Sequence, residues 1–409
     1  MGRAWNATRG LAMRQEATRS PTKTSIPPHR SRPVPRAWRS LAAAMGAALC
    51  AALYAAGAAQ GMEPRPLYRV LTVRMPLPIT QVAALTCPGV APSTLVHWPQ
   101  RPGQPDPSAQ RPSVPTVMVL DEQNHRSRVR LEDNAPVLEP LGECRPADPG
   151  ERPDQADGSR VEIGTGFIAE AWLAAPTLKY RHGILGDVVT AGELRVVNRR
   201  GDTLAYRLPD TAVFEDRWAR LMFVDGQDAV LVVRSGLRDG SALALFALDR
   251  PAADAGGLVL LAESESLGAP NRWLNPIGVG DFDGSGRSQI AAVLSPHKGG
   301  VLAVYQRQGG KLVPRYRAGG FSNHQLYSGE LGMAATLDAN GDGIMDLAVP
   351  DGERRALRIV TFAHGHFAEL QRIPHESPIV TAIAAQTLTP GVTSLVYGLE
   401  NGTVVVVTK

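Results

Sequence analysis

Beyond about residue 160 the chain consists of short runs in which apolar and polar positions alternate, broken by Gly, Asp and Pro. Residues 193–197 and 203–207 flank the turn Arg200-Gly201-Asp202, and runs at 220–224, 229–233 and 242–246 continue the pattern. A period of two predicts strands with one covered face, and the Gly-Asp punctuation predicts tight antiparallel turns. Residues 277–293 then align with 331–349, placing Asp281 and Asp338 57 residues apart. Each copy is followed by a third apolar run (301–305, 356–362) and, after a turn, a fourth (311–316, 366–371). Four antiparallel strands repeated in tandem make a propeller blade. The expected fold is therefore all-β, a β-propeller of about six or seven four-stranded blades. The last unit, through 395–398 and 402–408, stops after three strands and would leave an unpaired edge. The early alternating run 68–74 is predicted to close it.

The loop inside the second copy carries the clearest chemistry. Asp338, Asn340, Asp342 and Asp346 alternate, with the Ile344 carbonyl between the last two. Hard cations such as calcium take six to eight oxygens at about 2.3–2.6 Å, and a turning chain with this alternation supplies most of them. Gly343 stands sixth, where a sharp turn needs positive φ. An EF-hand is excluded, because its twelfth position needs a bidentate Glu and here holds Val349, in a stretch that leaves as a strand. Fainter copies lie at 223–230, with a shortened loop, and at 381–395, where the carboxylates are gone.

These residues resemble the FG-GAP or VCBS-type repeat family, whose calcium loops are best known from the propeller of integrin α chains. The resemblance covers roughly 160–409. It implies a loop joining two strands of a blade at the propeller rim, a structural calcium ion, and Asp338, Asn340, Asp342, Ile344 (through its carbonyl) and Asp346 as ligands. It implies a second site at Asp281, Asp283, Ser285, the Arg287 carbonyl and Gln289, weaker because its last ligand is neutral. Calcium is the one cofactor expected.

The long connections hold polar clusters: Arg272, Trp273 and Asn275, then His297, Asn323, His324 and Glu330. All lie before a first strand or after a second, where propeller loops face the central channel or one surface. They are the expected ligand-binding residues. The competing reading has them capping strand entries and bonding backbone around the channel. No GxSxG elbow, HExxH or P-loop is present, so no catalytic residue is assigned. A binding scaffold for a protein or carbohydrate is the preferred function, and a monomer is expected. A hydrolase-like propeller enzyme, acting on a polar substrate at the loop-rich face, is the alternative. The two part on whether Arg272, His297, His324 and Glu330 share a solvent-open cavity. Arg200-Gly201-Asp202 reads as an ordinary turn, and His364 and His366 as surface residues.

The amino end changes the charge argument. Residues 1–40 carry nine Lys or Arg against one acid, and 41–61 are uncharged and rich in Ala, Leu and Gly, ending near Ala56-Gly57-Ala58. Basic, apolar and small-x-small segments in that order read as an export signal, so residues 1–61 are assigned to a signal peptide or, uncleaved, an anchor. Membrane association requires the uncleaved form; a periplasmic or extracellular location follows from the cleaved one. The whole chain is +4, the first forty residues hold a surplus of eight, and the remainder is about −4. Nucleic-acid binding thereby loses its support. Residues 62–160, with Pro-rich loops at 99–115 and 145–154, are read as the first part of the propeller, and 161–409 as its repeat-bearing blades. Cys87 and Cys144 remain outside the signal, an even count that favours a disulfide in an exported chain.

Overall fold

The computed structural model describes residues 66–87, 114–142, 149–249, 257–389 and 391–409. Strand follows strand in the alternating pattern. After β1 (Arg69–Arg74), blade 1 comprises β2 (Ile79–Cys87), β3 (Val114–Asp121), β4 (Arg126–Glu132) and β5 (Ala135–Pro140). Blade 2 comprises β6 (Glu162–Ile163), β7 (Ile168–Thr177), β8 (Thr190–Asn198) and β9 (Thr203–Arg207), followed by a short bridging strand, β10 (Ala212–Phe214). Blade 3 comprises β11 (Arg220–Val224), β12 (Gln227–Gly236), β13 (Gly240–Leu248) and β14 (Leu258–Ser264). Blade 4 comprises β15 (Leu274–Gly280), β16 (Gln289–Leu294), β17 (Val301–Gln308) and β18 (Lys311–Gly319). Blade 5 comprises β19 (Ala335–Leu337), β20 (Asp346–Pro350), β21 (Ala356–Thr361) and β22 (Ala368–Pro374). Blade 6 comprises β23 (Ala384–Thr389), β24 (Val392–Gly398) and β25 (Thr403–Thr408).

The protein is an all-β propeller, and its described residues form six blades. The sixth is completed by β1, which pairs antiparallel with β25 from Arg69↔Thr408 to Arg74↔Thr403. That pairing removes the edge that three strands alone would expose. Blades 2, 3 and 4 are continuous in hydrogen bonding. β10 pairs with both β8 and β12, and outer strands β14 and β18 touch through two parallel pairs, Glu263↔Lys311 and Ser264↔Leu312.

Burial explains why the inner strands do not alternate. All of β15 and nearly all of β13 are buried, because blades pack face to face and cover both sides of an inner strand. Outer strands such as β9 and β18 keep the period of two. The core therefore lies between blades. One cluster joins Leu173 and Leu194 of blade 2 to Val232 and Phe246 of blade 3. A second joins Val304 of blade 4 to Leu347 and Val360 of blade 5, and a third joins Ile359 of blade 5 to Val405 and Tyr397 of blade 6. The largest runs through blades 3, 4, 6 and 1.

Antiparallel order puts the turns between first and second strands, and between third and fourth strands, at one end of the propeller. Turns between second and third strands, and the connections between blades, sit at the other end. Both aspartate-rich loops belong to the first end, and all the polar clusters to the second. Among the described residues no helix is long and apolar enough to cross a membrane. The export segment and Cys144 lie outside the described residues, as does the side chain of Cys87.

Candidate functional site

Loop 338–346 joins β19 to β20. Asp338 Oδ1 accepts the amides of Gly341 (2.7 Å) and Asp342 (3.1 Å), and its Oδ2 that of Gly343 (2.9 Å). Asn340 Oδ1 accepts the Asp342 amide, its Nδ2 donates to Asp342 Oδ2, and Asp342 Oδ1 accepts the Ile344 amide. These are successive Asx turns, and Gly341 and Gly343 take the positive φ the winding requires. Asp346 is fully buried. Its Oδ2 accepts the Ala339 amide (2.9 Å), while Oδ1 has no hydrogen-bond partner. Burial, aided by the charges of Asp342 and Asp338, pushes its pKa up to about 6, against the pull of the Thr361 hydroxyl and the Ala339 amide. A buried carboxylate oxygen without a donor is costly, and a cation is one group that would satisfy it. Among the described residues no three His, Cys, Asp or Glu side chains are gathered at metal-ligand spacing. In the loop as it stands, Asp338 and Asp342 accept backbone amides instead.

Loop 281–289 joins β15 to β16 in the adjacent blade, and the two loops touch: the Met345 amide donates to the Asp281 carbonyl (3.1 Å). The winding is the same. Asp281 accepts the amides of Ser285 and Gly286, and Asp283 Oδ1 accepts that of Ser285. Gln289 is fully buried and accepts the Phe282 amide (3.1 Å), as Asp346 accepts that of Ala339. The remaining partner comes from the protein, since the Tyr316 hydroxyl donates to Asp283 Oδ2 (2.9 Å). Burial raises the Asp283 pKa, but hydrogen bonds, those from Ser285 and Tyr316 among them, outweigh it and hold the group at about 2. Arg287 is exposed within this turn. His364 and the Arg200-Gly201-Asp202 turn lie at this same end. The His364 amide donates to the Asp283 carbonyl, and Asn198 holds Asp202 in a closed, exposed turn.

At the opposite end the structure gathers Trp273, His297 and His324. The two imidazoles meet edge to face, with His324 Nδ1 3.0 Å from His297 Nε2, and the Trp273 ring packs against both. His324 Nε2 donates to the Ser328 carbonyl (2.8 Å), so both its ring nitrogens are engaged, and the residue is fully buried. Burial pushes the pKa of His297 down to about 4 and that of His324 to about 3. Asn275 and Asn323 form a reciprocal pair through side-chain amide and carbonyl, and Asn275 Nδ2 also donates to the Leu331 carbonyl. Glu330 is partly buried, accepts the Gly332 amide (2.6 Å) and has its pKa raised by burial. Arg272 stands apart. Its side chain is exposed, and its carbonyl accepts from the Ser241 amide and hydroxyl.

The hub of this end is a stretch that sequence reasoning passed over, Glu215 to Arg220. Glu215 takes His182 Nδ1 (2.6 Å) on one oxygen and the Ser235 hydroxyl on the other, and its carbonyl accepts Trp273 Nε1. Asp216 forms a fully buried pair with Arg220 (2.6 Å) and also accepts the Val233 amide. Arg217 reaches the Leu185 carbonyl and Asp187. The guanidiniums of Arg160 and Arg220 lie over the Trp218 ring at 4.6 and 5.2 Å. A buried ion pair of this kind resists loss of one partner far more than it adds net stability. The available signal was four charges around one Trp in a stretch with little alternation.

No family model matches the chain, and no curated protein matches it. Among solved structures, the WD40 domain of coronin from Toxoplasma gondii is similar with a TM-score of 0.29 and 10% sequence identity, over 72% of this chain and 65% of that one. This chain thus spans less than two thirds of that neighbour. A likeness of this size carries no argument about the site, and the propeller rests on the strand pairings above.

Proposed function

We propose that the protein is an exported binding scaffold of the FG-GAP or VCBS type, stiffened by one calcium ion in loop 338–346. Asp338, Asn340, Asp342, Asp346 and the Ile344 carbonyl would hold the ion. The observation that carries this reading is the fully buried Asp346 Oδ1 with no hydrogen-bond partner. Bound there, calcium supplies positive charge that joins the loop's separate carboxylates. Loop 281–289 fits a cation less well, because the Tyr316 hydroxyl already serves Asp283 and the unpartnered buried atom of Gln289 is Nε2, a neutral donor that cannot ligate a cation. It stands in this reading as a turn that closes without metal.

A scaffold is favoured over an enzyme by the state of the polar cluster. His324 has no free ring nitrogen, Arg272 lies outside the cluster, and Glu215 and Asp216 are taken up by neighbours. Those groups hold connections between blades in place, leaving the loops above them to meet a protein or carbohydrate. Export rests on the composition of residues 1–61, and a mature chain beginning at Ala59 would support it.

The test is thermal unfolding of the chain with calcium or with chelator. Calcium at a hundred times its dissociation constant stabilises by about 2.7 kcal/mol, so chelation is expected to lower Tm by several degrees. Asp342→Ala is expected to have the same effect without chelator and to abolish the response to added calcium. An unchanged Tm in chelator would overturn the reading.

A further inference from the structure

The residue that immediately precedes the closing strand of blade 6 is docked against the aspartate loop of blade 5. Tyr68 is buried, and its hydroxyl donates to the Ala339 carbonyl at 3.3 Å. Ala339 is the loop residue whose amide donates to Asp346. The backbone of Tyr68 is held as well: its amide donates to Gln371 Oε1 (2.8 Å), and Gln371 Nε2 donates to its carbonyl (2.9 Å), a reciprocal clamp from β22. Its ring shares a cluster with Leu337, Ala339, Val405 and Val407, and Lys409 Nζ lies 5.7 Å from the ring centre. One side chain thus touches the loop of blade 5, the last residue of the chain and the strand that completes blade 6. Burial, then the charges of Asp346 and Asp338, pushes the phenol up to about 12, which places the hydroxyl in the field of the loop's carboxylates.

We propose that Tyr68 makes cation binding in loop 338–346 and docking of the N-terminal strand a single coupled event, with the cation locking the ring closed. The inference rests on the calcium reading above. Ordering the loop fixes Ala339 from both sides, through its amide to Asp346 and its carbonyl to Tyr68. Fixing Tyr68 pins the start of β1, whose six pairs with β25 are the seam between the two ends of the chain. Terminal strands otherwise fray at low free-energy cost. Coupling of this kind is reciprocal, so whatever loosens Tyr68 must weaken the cation by the same factor that the cation tightens Tyr68.

Hydrogen exchange of the full chain, followed by mass spectrometry over residues 69–74, tests this alongside calorimetric titration with calcium. Calcium is expected to slow exchange of these amides about tenfold or more in the natural chain. Tyr68→Phe, which keeps the ring and its packing, is expected to shrink that slowing and to weaken calcium about three- to fivefold, and Gln371→Ala should do likewise. Calcium that binds with heat but leaves residues 69–74 unchanged would overturn the coupling alone, as would a Tyr68→Phe chain indistinguishable from the natural one. Absence of any binding heat would overturn both the coupling and the calcium reading.

Discussion

Loops 281–289 and 338–346 occupy the same place in adjacent blades and wind through the same Asx turns, yet they close differently. In each, the last side chain is buried and accepts the amide of the loop's second residue, Gln289 from Phe282 and Asp346 from Ala339. The other polar atom of that side chain is a neutral donor in one loop and an anionic acceptor in the other. Asp283 is held from outside its loop by Tyr316, whereas the matching Asn340 turns its amide to Asp342 within its own loop. Each loop keeps one buried, unpartnered atom at this last position, the neutral Nε2 of Gln289 in the first and a carboxylate oxygen of Asp346 in the second. Alternating oxygen ligands along a sequence therefore specify how the chain turns. In the calcium reading proposed above, the chemistry of the final, buried position decides whether that turn takes a cation.

Exchanging that position is the strongest way to break the comparison. Gln289→Glu places a second carboxylate beside Asp283 in a buried setting, and an uncompensated buried charge costs about 3–5 kcal/mol. The variant is expected to lose stability to that extent in chelator and to recover part of it in calcium, measured by denaturant unfolding. Equal stability in both conditions would mean that position 289 does not distinguish the loops.

Acid sharpens the comparison by bringing in the other end of the molecule. His297 and His324 have folded pKa values of about 4 and about 3, below the 6.5 expected of the unfolded chain. The unfolded state then takes up protons first. Their contribution is complete above pH 6.5, declines as pH falls, and is gone near pH 3. Stability measured from pH 7 to pH 4 should fall, and His324→Gln should flatten that slope without altering the calcium response. A slope as steep in the variant as in the natural chain would assign the acid sensitivity elsewhere.

Tyr316→Phe is the mildest probe. It removes the hydroxyl that Asp283 accepts, a loss of about 1 kcal/mol, expected to be equal with calcium and with chelator. A loss seen only with calcium would show that loop 281–289 takes a cation after all.

Both loops were legible because their signal is local. Asx turns, positive-φ glycines and alternating oxygens all lie within about ten residues, where sequence spacing is spatial spacing. The four-strand unit was legible for a similar reason, since turn residues punctuate it and the outer strands keep a period of two. The polar end was legible only in part. Its residues were named from the sequence, but Arg272 stands outside the cluster that Trp273, His297 and His324 form. The Glu215–Arg220 hub was missed because its partners, His182, Asp187, Ser235 and Asn275, are scattered over the chain and carry no shared spacing.

By itself the sequence determined the strand alternation, the tandem unit, the winding of the two loops and the need of the last blade for a strand from the amino end, because each follows from backbone chemistry over a short stretch. Only the tertiary structure decided that the described blades number six, that Tyr68 sits between Ala339 and Gln371 across 303 residues of chain, and that one Asp346 oxygen is buried without a donor where Asp283 is given the Tyr316 hydroxyl. Burial and long-range partners are properties of packed blades. They set what each carboxylate costs, and no local pattern records them.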